Sequence, residues 1–240
     1  GETKSAVDNW NDALQVSLDA LGALAHDEAS AKATDAAPRV HELTELATHV
    51  MCCLGQAAEV ADDHDAALEF FNRAEQLLQN SEESGPLLAH VLARKADLSK
   101  AQGYAKITAQ LLEHALELNT QANHTHGIAD NLLRLGQLYA DEHSPLYDPD
   151  RAESMLVTSL KLWSHSSGEE QDGAGSLEAD WMAGHSWHAD GVRFVQVFSN
   201  IGAIYMSRHE SATERADPSA PANDSYARIA AEAYERGRNV

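Results

Sequence analysis

The residues best suited to chemistry in this 240-residue chain are histidines that gather between residues 164 and 190. His165, His185 and His188 stand near several carboxylates, and zinc accepts both imidazole and carboxylate ligands. Their spacing argues against a zinc site, because no His-Glu-x-x-His element and no CxxC pair accompanies them. Thirteen histidines in one chain also cluster by chance. We therefore expect no bound metal, and a metal-dependent enzyme using this His-rich insert is only a distant alternative.

Cysteine chemistry is the second possibility. Cys52 and Cys53 are adjacent, and neighbours on a helix point about 100° apart, which leaves no sensible disulfide between them. The sequence supplies no identifiable triad partner, Gly-rich phosphate loop or nucleophile elbow. We expect a protein that is not an enzyme and binds no cofactor. Free cysteines also favour a reducing intracellular compartment, the cytoplasm more than an organelle.

Charge limits the partners. The net charge is −21, so nucleic acid and anionic membrane surfaces are repelled at long range. No apolar run approaches the ~20 residues of a membrane span, and we expect no membrane contact. Since the first residue is Gly1 rather than Met, we expect the sequence to be cut from a longer protein.

The elements that must position any site are helices. Apolar periodicity predicts four pairs of them, at about 39–62 and 64–79, 86–102 and 105–118, 126–142 and 150–163, and 192–208 and 224–238. Residues 1–38 carry a further helix around Trp10, interpreted as a partial repeat or a cap. The segment 164–190 is polar and Gly-rich at its start, which predicts a long inserted loop.

A shared register links the four pairs. A small residue in each first helix is followed at matching spacings by a small, a large and a small residue in the second, with extra residues only in the later turns. The first-helix residues are Gly55, Ala96, Gly136 and Gly202. Their counterparts are Ala67, Phe71 and Ala74; Thr108, Leu112 and Ala115; Ala152, Leu156 and Ser159; and Ala230, Tyr234 and Gly237. We expect small residues to face each other, so that the helix axes approach closely while the large residue fills the neighbouring gap.

This register resembles the tetratricopeptide repeat (TPR) family, which couples a Leu-Gly-x-x-Tyr in the first helix to Ala, Phe and Ala in the second. The run Leu135-Gly136-Gln137-Leu138-Tyr139 carries the first half of that pattern. The resemblance implies an all-α, right-handed α-solenoid of antiparallel helical hairpins, with repeats at about 39–82, 86–120, 126–163 and 192–240 within a domain spanning 39–240. The small residues recur at longer intervals than the family's usual repeat of ~34 residues. In this they are similar to the ~40-residue repeats of kinesin light chains.

The resemblance also implies a function: TPR arrays generally bind a peptide in the concave groove lined by their first helices. The residues flanking the small positions are the expected groove, namely His49, Cys53, Gln56, His90, Arg94, Asp97, Asp130, Arg134, Gln137 and Asn200. Arg94 and Arg134 recur at one register position and could form a ladder for a partner's acidic segment. Alternatively, each pairs with the nearby Asp97 or Asp130 of its own helix. The chain is thus expected to be a non-catalytic adaptor, or alternatively a constitutive subunit of a larger complex, for which an organellar location is one option.

Overall fold

Helices account for all the regular secondary structure of the residues that the structure describes. A computed structural model describes residues 36–78, 84–166, 191–215 and 224–238, together with Asp12, Gln15, Val16 and Asp19, which are helical. These described ranges contain eight helices. They are α1 (Ala36–Val60), α2 (His64–Leu78), α3 (Gly85–Ala101), α4 (Ala105–Gln121), α5 (Thr125–Ala140), α6 (Pro149–Ser166), α7 (Gly191–Arg215) and α8 (Asp224–Arg238).

The predicted helix ends agree with the structure to within about three residues, except at the end of α7. Apolar periodicity stops near Arg208, whereas α7 continues to Arg215. Its last turns hold Glu, Ala and Arg residues, whose helix propensity favours continuation of the helix although no apolar stripe predicts it. Most of the predicted helix around Trp10 and most of the 164–190 insert lie outside the described residues.

The chain divides into two compact units, Gly1–Asn123 and His124–Val240. In the first unit α1 packs against α2, and α3 packs against α4. These two hairpins join through contacts of α3 with both α2 and α1. One apolar cluster extends through α1, α2 and α3 and includes the buried side chains of Leu54, Phe71 and Val91. Apolar burial of this kind is the main favourable term in holding the hairpins together.

The second unit repeats the arrangement, with α5 packed on α6, α7 packed on α8, and α7 in contact with both α6 and α5. The indole of Trp163 meets the ring of Phe194 edge-on, with ring centroids 6.0 Å apart. Arg208 of α7 donates to Glu153 Oε2 of α6 at 2.6 Å, and Tyr205 donates to the same carboxylate. Burial, and then the hydrogen bond to Glu153, raise the pKa of Tyr205 to about 12. This polar cluster fixes α7 on α6.

The small-residue register is present, with one difference from expectation. A Cβ added at Gly55 would lie 2.5 Å from Cε1 of Phe71, and one at Gly136 would lie 2.7 Å from Cγ of Leu156. Each glycine therefore contacts the large residue of the second helix directly. The expectation that the glycine faces a small residue while the large one fills an adjacent gap is wrong in this detail, because a bare backbone provides the space for a ring or an isobutyl group. Gly202 is covered in the same way, by the ring of Tyr234.

Turn residues connect the helices as their chemistry predicts. Gly103, between α3 and α4, has a φ of +79°, a left-handed conformation that glycine adopts without strain. Between α5 and α6, the amide of Asp148 donates to the carbonyl of Tyr139 at 2.9 Å, which folds the Pro-containing turn back on α5. The Asp148 carboxylate accepts from the amide of Arg151 at 3.0 Å and caps the start of α6.

Candidate functional site

The first helices of the first unit carry a row of partly exposed polar residues. Gly55 and Ala96 are buried against the second helices, so residues two places before and one place after them point away from that contact. We call the six predicted residues of α1 and α3, together with Glu59, the first-helix face of unit 1: His49, Cys53, Gln56, Glu59, His90, Arg94 and Asp97. Since α1 and α3 are in contact, the structure brings the six predicted residues of this set onto two adjacent helices.

Arg94 is the central cation of this face. Its Nη1 lies 3.4 Å from Oδ2 of Asp97, one turn further along α3, and the two side chains are 24% and 36% exposed. The Nε of Arg94 is buried and has no hydrogen-bond acceptor. The spacing had left open whether Arg94 serves a partner or pairs within its own helix. The intrahelical ion pair is present, but it leaves hydrogen-bonding capacity on the guanidinium.

Glu59 is a residue of this face that the sequence interpretation missed. Burial is the main cause that raises its pKa, and the charge of Asp97 adds to it, whereas Arg94 and His64 act in the opposite direction. Arg94 therefore lies near two carboxylates, those of Glu59 and Asp97. Glu59 stands at the same register position as Lys100 of α3, four places after the small residue, and extending the register by one turn would have identified it.

The two cysteines differ in environment. Cys52 is 3% exposed, and burial is the main reason that its pKa is raised to about 12, although Arg94 acts in the opposite direction. Such a thiol stays protonated and is a poor nucleophile at neutral pH. Cys53 is partly exposed on the first-helix face. Cys52 therefore serves packing, as a small apolar side chain in the cluster that joins the hairpins.

The remaining predicted residues lie on α5 and α7. We call Asp130, Arg134, Gln137 and Asn200, all partly buried, the first-helix face of unit 2. Asp130 forms an ion pair with Arg193 of α7, in which its Oδ1 lies 3.0 Å from Nε of the arginine. The amide of Asn200 donates to the carbonyl of Gln196 at 2.6 Å.

The arginine that pairs with Asp130 has a second contact. The guanidinium carbon of Arg193 lies 5.6 Å from the centroid of the Trp163 ring, within the range of a cation–π interaction. Asp130, Arg193 and Trp163 therefore link α5, α7 and α6, which indicates a structural role for Asp130. The predicted ladder of Arg94 and Arg134 extends over both units and stays a prediction.

Asn131 is a second residue that the sequence interpretation missed. It is 2% exposed, and its Nδ2 has no hydrogen-bond acceptor. The residues at this register position in the other first helices are valines, all buried: Val50, Val91 and Val197. Comparison of the four repeats at this position would have singled out the one polar residue.

The described residues contain neither a metal-binding cluster nor a membrane-spanning helix. Within residues 36–78, 84–166, 191–215 and 224–238, no group of three or more His, Cys, Asp or Glu residues is placed to hold a metal ion. His185 and His188 lie outside those residues, so the zinc alternative is not addressed by this finding. No helix of the described residues combines the length and apolar character needed to cross a membrane.

Comparison with known proteins supports the fold. No model of a protein family and no curated protein sequence matches this chain. Among solved structures, the crystal structure of BtubC (BKLC) from P. vanneervenii matches with a TM-score of 0.55 and 13% sequence identity, over 96% of this chain and 87% of that chain. At this identity the likeness shows the fold alone. The all-α, TPR-like helical-repeat fold is confirmed, and the kinesin-light-chain-like variety stays a prediction.

Proposed function

We propose that the chain is a non-catalytic scaffold that binds a segment of another protein on the first-helix face of each unit. The TPR-like fold supports this, because stacked helical hairpins of this kind provide extended binding surfaces. The observation that carries the proposal is Arg94, a partly exposed arginine whose buried Nε has no acceptor and whose ion pair with Asp97 is long. The location proposed with this function is intracellular, which rests on the free cysteines.

The proposed partner segment of unit 1 is acidic. Its carboxylate would bind the outer nitrogens of Arg94 with charge-assisted hydrogen bonds, which are the stronger class. Asp97 competes for the same nitrogens, and Glu59 adds a second negative charge nearby. We therefore expect binding of moderate affinity, which strengthens when Asp97 loses its charge.

The experiment begins with a library of random 12-residue peptides displayed on phage and selected on the purified protein. The affinity of one enriched peptide is then measured by fluorescence anisotropy for the wild type, Arg94→Gln and Asp97→Asn. Losing a charge-assisted bond costs about 1.5–3 kcal/mol, so Arg94→Gln should weaken binding by about tenfold or more. Asp97→Asn should strengthen it, because the guanidinium loses its internal competitor. Lys106→Gln, an exposed cation of α4 away from this face, is the control and should have no effect.

The outcomes separate the parts of the proposal. If Asp97→Asn weakens binding while Arg94→Gln strengthens it, the partner is basic and the acidic-segment proposal is wrong, although the binding face is retained. If neither variant changes the affinity of an enriched peptide, the face is wrong. If selection enriches no peptide, the scaffold function itself loses its support. The corresponding variant for unit 2 is Arg134→Gln, measured with its own enriched peptide.

A further inference from the structure

The second helices α2 and α6 each contact the first helix of the following hairpin. On α2, Glu75 accepts from Nζ of Lys95 of α3 at 2.6 Å. On α6, Leu160 holds the corresponding register position and is 2% exposed. On α8 the corresponding residue is Arg238, which is exposed. The position that binds the next hairpin on α2 and is buried on α6 is therefore exposed on α8 among the described residues.

Tyr234 of α8 is also more exposed than the residues at the same register position of α2 and α6. Its counterparts Phe71 and Leu156 are completely buried, whereas Tyr234 is 44% exposed although its ring lies over Gly202. Beside it, Ala231, Tyr234, Glu235 and Arg238 line a shallow surface depression. A partly exposed aromatic ring next to a small residue is a suitable centre for a helix-packing contact.

The charges along one side of α8 are self-complementary. Arg228, Ala231 and Glu235 are exposed and follow one another at helical spacings of three and four, so they share one side of α8. Neither Arg228 nor Glu235 forms an ion pair with another residue of the described ranges. A two-fold axis near Ala231 reverses the order of these residues in the second copy. Glu235 of each copy then faces Arg228 of the other, with the small Ala231 at the helix crossing.

The overall charge of the chain disfavours the association of two copies. The chain carries 38 acidic and 17 basic residues, so two copies repel each other over most orientations. The last turn of α8, by contrast, contains Arg236 and Arg238. The outer side of α8 is thus a place where that repulsion is locally relieved.

We propose that α8 binds α8 of a second copy in an antiparallel, two-fold contact centred on Ala231, with reciprocal Glu235–Arg228 ion pairs. This interaction is separate from the proposed partner binding, which uses the first helices. A contact between two single helices is smaller than the interfaces of stable dimers, so a weak dimer with a Kd on the order of 10 µM is expected.

Sedimentation equilibrium tests this over about 1 to 200 µM protein, the range that brackets such a Kd. The apparent molecular mass of the wild type should rise with protein concentration from that of the 26.0 kDa chain towards twice that value. Glu235→Arg alone places Arg against Arg228, and Arg228→Glu alone places Glu against Glu235. Each should weaken dimerisation at least tenfold. Mixing the two variants in equal amounts pairs Arg with Glu at both contacts and should restore the dimer, as should the double variant.

Controls and contrary results follow from the same geometry. Glu142→Arg and Lys106→Glu make the same charge changes at exposed positions away from α8. Both should dimerise like the wild type, with the same dependence of apparent mass on concentration. A single chain mass at every concentration overturns the proposal. A dimer that Glu235→Arg does not weaken, or two single variants that fail to associate when mixed while remaining folded by circular dichroism, also overturns it.

Discussion

Replacing Gly55 by alanine tests the closest helix contact of the first unit. The added methyl carbon would lie 2.5 Å from Cε1 and 2.7 Å from Cζ of Phe71. Carbon atoms normally meet at ~3.5–4.0 Å, so the ring must move by about 1 Å inside a packed cluster. Phe71 is completely buried and cannot rotate into solvent.

The magnitude follows from two opposing terms. Overpacking of a core by one methyl group costs about 1–3 kcal/mol, whereas alanine is about 1 kcal/mol better than glycine within a helix. We expect Gly55→Ala to lower the free energy of unfolding by about 1–2 kcal/mol. For a chain of this length, that lowers the melting temperature by about 2–8 °C, measurable by circular dichroism.

Two matched variants isolate the cause. Gly85→Ala adds the same methyl group where the nearest atom is 3.9 Å away, so it should not destabilise. Phe71→Leu shortens the opposing side chain, and the double variant with Gly55→Ala reproduces the natural pair Ala96 and Leu112 of the next hairpin. The double variant should be more stable than the sum of the two single effects predicts, by about 1 kcal/mol. If Gly55→Ala melts at or above the wild-type temperature, the close approach of α1 and α2 is wrong.

Two further predictions concern polar groups in or near the core. Asn131→Val should raise the free energy of unfolding by about 1–2 kcal/mol in urea titrations, because a buried amide without an acceptor is replaced by the residue found at the other three positions; an unchanged stability would show that the amide is satisfied. Burial and Asp97 raise the pKa of Glu59, so its favourable contribution is present below the unfolded pKa, near 4.5, and is lost as pH rises through the folded pKa. The melting temperature of Glu59→Gln relative to that of the wild type should therefore be higher at about pH 7 than at about pH 4. An equal difference in melting temperature at the two pH values contradicts the raised pKa.

Sequence reasoning identified the hairpins because their determinants are local. The register of Gly55 with Phe71 and of Gly136 with Leu156 depends on residue size at fixed spacings, which is visible in one sequence. The positive φ of Gly103 follows equally from residue type. What spacing could not show was that the ring of Phe71 lies directly on Gly55, since this depends on the rotation of one helix about its axis.

The electrostatic partners were predictable only within a helix. Arg94 and Asp97 are three residues apart, and that pair was among the alternatives. Asp130 pairs with Arg193, 63 residues away, and only the packing of α7 on α5 creates that contact. The raised pKa of Glu59 likewise depends on its burial and on the charge of Asp97, a residue of another helix. Tertiary proximity of this kind leaves no trace in local spacing.

Contacts between helices that are close in sequence have a consequence for the speed of folding. Within each unit, every hairpin joins consecutive helices, so little chain must be ordered before its contacts form. Low contact order of this kind is associated with folding in microseconds to milliseconds. We expect bonds between hairpins, such as Lys95 with Glu75 and Arg208 with Glu153, to form after the hairpins themselves. Interactions that are absent from the folding transition state mainly slow unfolding, so these bonds are expected to lengthen the lifetime of a folded unit.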